Sequence, residues 1–309
     1  MLSLAGALGI CAALIWAAPG LLQALRTGAQ SLNLQALLVV CALQAVTWGV
    51  CALALRSLAP ALTVSACLAS RWVRDGASNL LPVAPGVGEF AGVRMLVGAG
   101  APPALAVAVT AADIASETLA QAPYTVLGLA FVPAVLTRLQ APALTIPSSA
   151  GSVAALLGAV LLCLGAKRAA PWLIRKHHAL CSGVLAELSL HGFPAAVGLH
   201  LLAWTLGGLQ LWAGSHLLGF GLDLRPAIAL ESLVYAGRAL FFFIPGGVGV
   251  QEAGFLGIGA AMGVPAAEAL AFALLFRARD AVAGAPALIA WALCEGRLGR
   301  QNGRERSTA

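Results

Sequence analysis

Phe241-Phe242-Phe243-Ile244-Pro245-Gly246-Gly247-Val248-Gly249-Val250-Gln251-Glu252-Ala253-Gly254-Phe255-Leu256 runs from a cluster of aromatics through one proline and three glycines to an acid. The apolar flanks put this break at membrane depth. No water satisfies freed backbone groups there, so such a break is buried in protein or lines a wet cavity. If helix resumes near Val250, its unpaired amides and positive dipole end face inward toward an anionic or polar group, with Glu252 in the first turn. The alternative is a short loop at the membrane surface joining two ordinary spans, with Glu252 as a plain N-terminal cap.

The same order of parts recurs at Leu80-Leu81-Pro82-Val83-Ala84-Pro85-Gly86-Val87-Gly88-Glu89-Phe90-Ala91-Gly92. A shift of 163 positions aligns Gly86 with Gly249, Glu89 with Glu252, Gly100 with Gly263, Pro102 with Pro265 and Pro123 with Pro286, without a gap. Glu117 then falls on Asp280, and Trp48 and Trp204 both lie in apolar spans ahead of their breaks. Internal repeats of this length are a sign of transporter architecture, and we place the two copies at 33–136 and 192–294.

Composition sets the class. The 309 residues are 60% hydrophobic and 10% charged, with strongly positive mean hydropathy. Those values belong to a polytopic membrane protein in one integral domain, not to a soluble one. The net charge of +6 comes from basic residues near span ends, which points to membrane orientation and acidic headgroups, with no nucleic-acid partner. Seven scattered cysteines without a Cys-x-x-Cys pair read as small hydrophobes, so no metal or disulfide is expected.

Residues 2–25 make a first span, interrupted by Pro19; a cleaved signal peptide ending near Ala17-Ala18 is the rival reading. Residues 33–55 make the second. From Ala59 to Leu81 the apolar character is broken by Arg71, Arg74, Asp75 and Asn79, at roughly 3 kcal/mol per central charge in a lipid-facing helix. Arg71 and Asp75, four apart, can pair on one face. The segment 59–100 therefore reads as a re-entrant hairpin. The helix over 103–136 carries Asp113 and Glu117 on one face, which suggests a cavity lining. A span over 148–166 ends in Lys167-Arg168 and a basic stretch with Arg175, Lys176, His177 and His178. A span over 192–218, a second hairpin over 226–262 and a last span over 265–294 follow. Arg277, Arg279 and Asp280 lie inside that last span, and Arg297, Arg300, Arg304 and Arg306 in the tail beyond it.

The expected fold is thus an all-α polytopic membrane protein of about six full spans plus two re-entrant helical hairpins in an inverted repeat. Positive residues favour the cytoplasm, which places the 167–191 loop, the tail and both termini inside. The first hairpin then opens inward and the second outward. Arg26 falls on the outer side against this pattern.

At Pro85-Gly86-Val87-Gly88-Glu89 followed by Arg94, and at Pro245-Gly246-Gly247-Val248-Gly249-Val250-Gln251-Glu252-Ala253, the chain resembles the transmembrane-region family of lysylphosphatidylglycerol synthase. This is the flippase part of the bacterial multiple peptide resistance factor. The resemblance covers nearly the whole chain. It implies movement of a polar or isoprenoid lipid across the bacterial inner membrane, by a stand-alone member that the length likens to one associated with hopanoid biosynthesis. Lipid aminoacylation is not carried over, because the soluble transferase half is not part of the resemblance.

A lipid flippase would bring the two breaks together near midplane and leave the lipid tail outside. Pro245, Gly246, Gly247 and Gly249 would then form the helix end that handles the headgroup, with Glu89 and Glu252 as a symmetric pair. Arg71, Arg74, Arg94, Arg238, Arg277 and Arg279 could bind phosphate, and Glu117, Asp280 and Asp113 could exchange protons. The bland reading makes each intramembrane charge pair a structural tie. A lipid-modifying membrane enzyme is the second hypothesis. Only Asp113 with Glu117 resembles a magnesium-diphosphate site, His177-His178 face different ways, no Gly-x-x-x-x-Gly-Lys occurs, and Glu252 stands where a dinucleotide fingerprint wants glycine. A scaffold for lipid-biosynthesis enzymes is the third. The expected partner is a membrane lipid, no cofactor is expected, and the oligomeric state is not legible.

Overall fold

The structure, a computed structural model, describes residues 19–81, 85–138, 189–241, 244 and 247–308. Residues 2–18 of the expected first span, the expected span over 148–166, the basic stretch over 167–188, and Pro245 and Gly246 lie outside the described residues. The described elements are α1 (Pro19–Ser31), α2 (Leu34–Leu58), α3 (Val64–Leu80), α4 (Val87–Gly98), α5 (Pro103–Arg138), a 3-10 turn (Leu190–Gly192), α6 (Phe193–Leu217), α7 (Leu224–Leu240), α8 (Val250–Ala261) and α9 (Ala266–Thr308).

Among the described residues four helices are long and apolar enough to cross a membrane: α2, α5 over Pro103–Val132, α6, and α9 over Ala266–Gly299. They coincide with four of the expected spans, and the protein is a multi-pass helical membrane protein. Between them lie shorter helices in matching pairs. Helices α3 and α7 have 17 residues each, α4 and α8 12 each. At ~1.5 Å per residue these reach roughly 26 Å and 18 Å, less than a ~30 Å hydrocarbon layer. They occupy the segments read as hairpins.

Two boundaries differ from expectation. Helix α1 passes through Gln23 and Arg26 to Ser31, and α9 continues beyond residue 294 to Thr308. Both extensions satisfy their own backbone groups, so a helix need not stop where its apolar window does.

The punctuating glycines do the same work in both halves. Gly86 and Gly249 sit at the N-cap positions of α4 and α8 with φ of 86° and 82°, and Gly100 and Gly263 follow those helices with φ of 95° and 77°. Each needs the left-handed region that a side chain disfavours. That requirement explains why glycines keep register across 163 positions.

Helices α2 and α6 share the largest interface, while α3 packs on α9 and α5 on α7. Asn33 pins the central pair: its Oδ1 accepts from Ala36 N–H at 2.8 Å, and its Nδ2 donates to the Leu217 carbonyl at 2.8 Å. One side chain thus serves the start of α2 and the end of α6. Three apolar cores form among the described residues, the smallest around Val73, Ala77, Ala91 and Ala287; the two larger ones take residues of α2 and α6. One takes Val40 of α2 and Leu211 of α6 with Leu230, Phe255, Phe272 and Phe276. The other takes Leu55 of α2 and Ala196 of α6 with Leu96, Leu105 and Val109. The middle turns of α2 and α6, between the cores, carry the polar residues.

Helix α3 approaches α9 through Gly76. A Cβ there would meet Ala287 Cβ at 2.9 Å and the Gly284 carbonyl at 3.0 Å. Gly76→Val is expected to cost about 1–3 kcal/mol by overpacking. Thermal unfolding of the purified protein in detergent would show a lowered midpoint, whereas Gly296→Ala, with open space around it, would leave the midpoint in place.

Candidate functional site

Arg71 and Arg74 stand on one face of α3 and are buried, at 7% and 9% exposure. Charges so enclosed need partners, and α5 supplies two acids one turn apart. Glu117 accepts from Arg71 Nη2 at 2.6 Å and Nη1 at 3.0 Å, and from Arg74 Nη2 at 2.6 Å. Asp113 accepts from Arg74 Nη1 at 2.8 Å and lies 3.6 Å from Arg71. Asp75 pairs with Arg71 at 3.2 Å, as the four-residue spacing predicts. The next ring of contacts orients the carboxyls. Trp48 of α2 donates to Asp75 at 3.0 Å, His200 Nε2 of α6 lies 2.9 Å from Asp113, and Trp204 donates to the Glu117 backbone carbonyl at 3.3 Å. Four helices are tied at one place.

The second half is wired differently. Asp280 aligns with Glu117 but pairs with its own neighbour Arg279 at 2.7 Å. Arg279 also donates to Gln210 of α6 at 2.6 Å, and Gln210 reaches Thr47 and Gln44 of α2 at 3.2 Å and 3.3 Å. Glu252 accepts from Gly249 N–H at 2.9 Å and from Arg277 at 2.6 Å, while Arg277 donates to the Gly247 carbonyl at 2.9 Å. Glu252 therefore caps α8, and Arg277 holds the described part of the break. Its counterpart Glu89 is looser, 3.7 Å from Arg74 with a side chain 37% exposed.

Arg238, near the end of α7, donates to Asn79 of α3 at 2.9 Å and to Gln251 of α8 at 2.9 Å. The ends of the two hairpins' first helices thus meet. Gly247 is buried against the Arg238 guanidinium and Gly88 against Arg74 and Ser78, whereas Pro85 and Gly86 are exposed. Among the described residues of the two corners, Gly247 of the second lies under Arg238, and Pro85 and Gly86 of the first are exposed while Gly88 in the next turn is covered.

These residues surround a cavity of about 370 Å³. Of the candidate site residues named from sequence, Arg71, Arg74, Glu89, Glu117, Arg238 and Arg279 line it, together with Asp75, Asn79 and Trp204. Asp113 and Asp280 hold lining arginines from behind, and Glu252, Arg277, Gly247 and Gly249 brace the break. Arg94 is elsewhere, paired with Glu295 of α9 at 2.6 Å and with a side chain 30% exposed. Sequence reasoning missed Gln44, Thr47, His200, Gln210 and Tyr235. Their signal was present: Gln44, Thr47 and Cys51 follow one helical face, as do His200, Trp204, Gly207 and Gln210. Polar groups recurring at that period inside apolar spans mark an inward face. The volume lies in the range of small-ligand sites, and its wall is rich in charged and polar side chains. No group of three or more His, Cys, Asp or Glu arranged to hold a metal occurs among the described residues.

No curated protein and no solved structure matches the chain. The family model for the lysylphosphatidylglycerol synthase TM region matches residues 3–285, a stretch that contains every residue lining the cavity. The chain thus belongs to the lysylphosphatidylglycerol synthase TM region family, whose setting is membrane-lipid chemistry.

Proposed function

We propose that this protein is a lipid transporter of the bacterial inner membrane that moves a polar or isoprenoid lipid between leaflets, a hopanoid being one such cargo. The observation that carries the reading is the cavity: buried arginines and acids from both halves meet between two apolar cores, where an isolated charge would be too costly to keep without use or partner. In this proposal the halves 33–136 and 192–294 form an inverted repeat whose hairpins re-enter from opposite faces, with both termini cytoplasmic. Equal helix lengths, the large α2–α6 interface and the reciprocal packing of α3 on α9 and α5 on α7 support it. The protein carries its lipid without altering it, and enzymes that make the lipid are natural partners.

The test is reconstitution into vesicles with a fluorescent phospholipid or hopanoid whose outer-leaflet copies are quenched from outside. Protein-dependent exchange with no new mass in the recovered lipid is expected. A changed mass identifies an enzyme, and no exchange with any lipid offered leaves a scaffold. Glu252→Gln keeps an oxygen for the Gly249 amide but loses the charge that holds Arg277. Lipid movement should slow about tenfold, equivalent to roughly 1.4 kcal/mol on the barrier, while the unfolding midpoint moves little.

A further inference from the structure

Glu231 differs from the other acids at the cavity. It lies on α7, is 2% exposed, and lines the same space as the arginines. Asp75, Glu89 and Glu117 each face an arginine. Glu231 makes no ion pair among the described residues; its hydrogen-bond partner is the Tyr124 hydroxyl of α5, donating to Oε2 at 2.6 Å. Its Oε1 lies against Gly207 of α6, where any side chain would collide with it.

The surrounding charges are spoken for. Arg279 of α9 is held by Asp280 and Gln210, and Arg238, further along α7, by Asn79 and Gln251. On α8, Glu252 is engaged with Arg277. His200 of α6 and Glu117 of α5 belong to the arginine network of the first half, and Tyr235 of α7 receives a hydrogen bond from Arg279 at 3.4 Å. A carboxyl enclosed in a membrane protein without an ion pair is cheapest when it can take up and release a proton. It stands at a cavity wall through which that proton can pass. Sodium is a poor alternative, because hard cations take about six oxygen ligands and one phenol and one carboxyl are too few.

We propose that Glu231 is a proton-binding site, positioned by Tyr124, that couples lipid movement to a proton gradient. This deepens the transport reading and rests on it. When the cavity opens to the more acidic side, an oxygen of Glu231 accepts a proton; when it opens to the other side, the same O–H bond breaks and the proton leaves to water. Nothing is oxidised or reduced. Tyr124 stays bonded to whichever oxygen remains an acceptor.

Two measurements test this. In proteoliposomes carrying a labelled phospholipid, an imposed pH gradient is expected to raise the wild-type rate several-fold, and a sodium gradient at equal pH to have no effect. Glu231→Gln, which keeps an amide oxygen for the Tyr124 hydroxyl, should lose the response to pH. A response that survives in Glu231→Gln, or one that sodium reproduces, overturns the proposal. Independently of any transport, difference infrared spectra of the detergent-solubilised protein are taken across a pH titration. They should show a protonated-carboxyl C=O band that is lost in Glu231→Gln and whose midpoint shifts in Tyr124→Phe. Vesicles without lipid movement but with that band would refute the transport reading alone; a band unchanged in Glu231→Gln would refute the proton site.

Discussion

Replacing Glu117 by alanine is expected to be the most damaging single change in the first half, at about 3–5 kcal/mol. Glu117 accepts three charge-assisted hydrogen bonds from Arg71 and Arg74, both of which remain buried when it is gone. Asp75 and Asp113 still face Arg71, and Asp113 still holds Arg74 Nη1, but the Nη2 groups of both arginines lose their acceptor. Thermal unfolding in detergent should show a midpoint lowered by many degrees or a protein that does not purify folded. The decisive comparison is Arg74→Met with Glu117→Met, which removes one charge of each sign and fills the space. That pair should recover part of the loss, because it also removes the buried Arg74 donor that Glu117→Ala leaves without an acceptor, while Arg71 keeps Asp75 and Asp113. A double variant as unstable as Glu117→Ala would show that the cost lies in the other contacts of the network and not in that stranded donor.

Gly88→Ala should be the second large effect, at roughly 3 kcal/mol. A Cβ at Gly88 would run into the Arg74 backbone carbonyl and the Ser78 side chain, and a backbone atom cannot step aside. Helix α4 would have to lift from α3, taking Glu89 away from Arg74. Gly86, two residues earlier, gives the contrast. It has φ of 86° and nothing within 4 Å of a built Cβ, so Gly86→Ala should cost only about 1–2 kcal/mol of backbone strain. Equal destabilisation by the two variants would contradict close packing of the first hairpin.

Helix boundaries and breaks were legible because their causes are local. A run of about 20 apolar residues demands a span, and a Pro-Gly break within apolar sequence demands shelter. The register of Gly86, Glu89, Gly100 and Pro102 with their later copies was visible for the same reason: positive φ at Gly86, Gly249, Gly100 and Gly263 admits little but glycine. The Arg71–Asp75 pair followed from helical spacing alone. The overruns of α1 and α9 were not visible, since nothing in a polar sequence forbids a helix from continuing past the hydrocarbon.

Sequence by itself determined that this is a helical membrane protein with spans over 33–55, 103–136, 192–218 and 265–294, interrupted by two glycine-hinged pairs of short helices. It also named most of the charges that matter. Only the tertiary structure decided which of those charges meet. Arg71 and Glu117 are 46 residues apart, and Arg238 and Asn79 are 159 apart. Those pairings depend on how α3 crosses α5 and where α7 ends against α3, which no periodicity encodes. The same holds for aligned positions that do unlike work. Glu117 bridges two arginines of another helix, whereas Asp280 pairs with the residue beside it. Glycines in register constrain the backbone, but the partner of a buried charge is chosen by whatever the fold brings within about 3 Å of it.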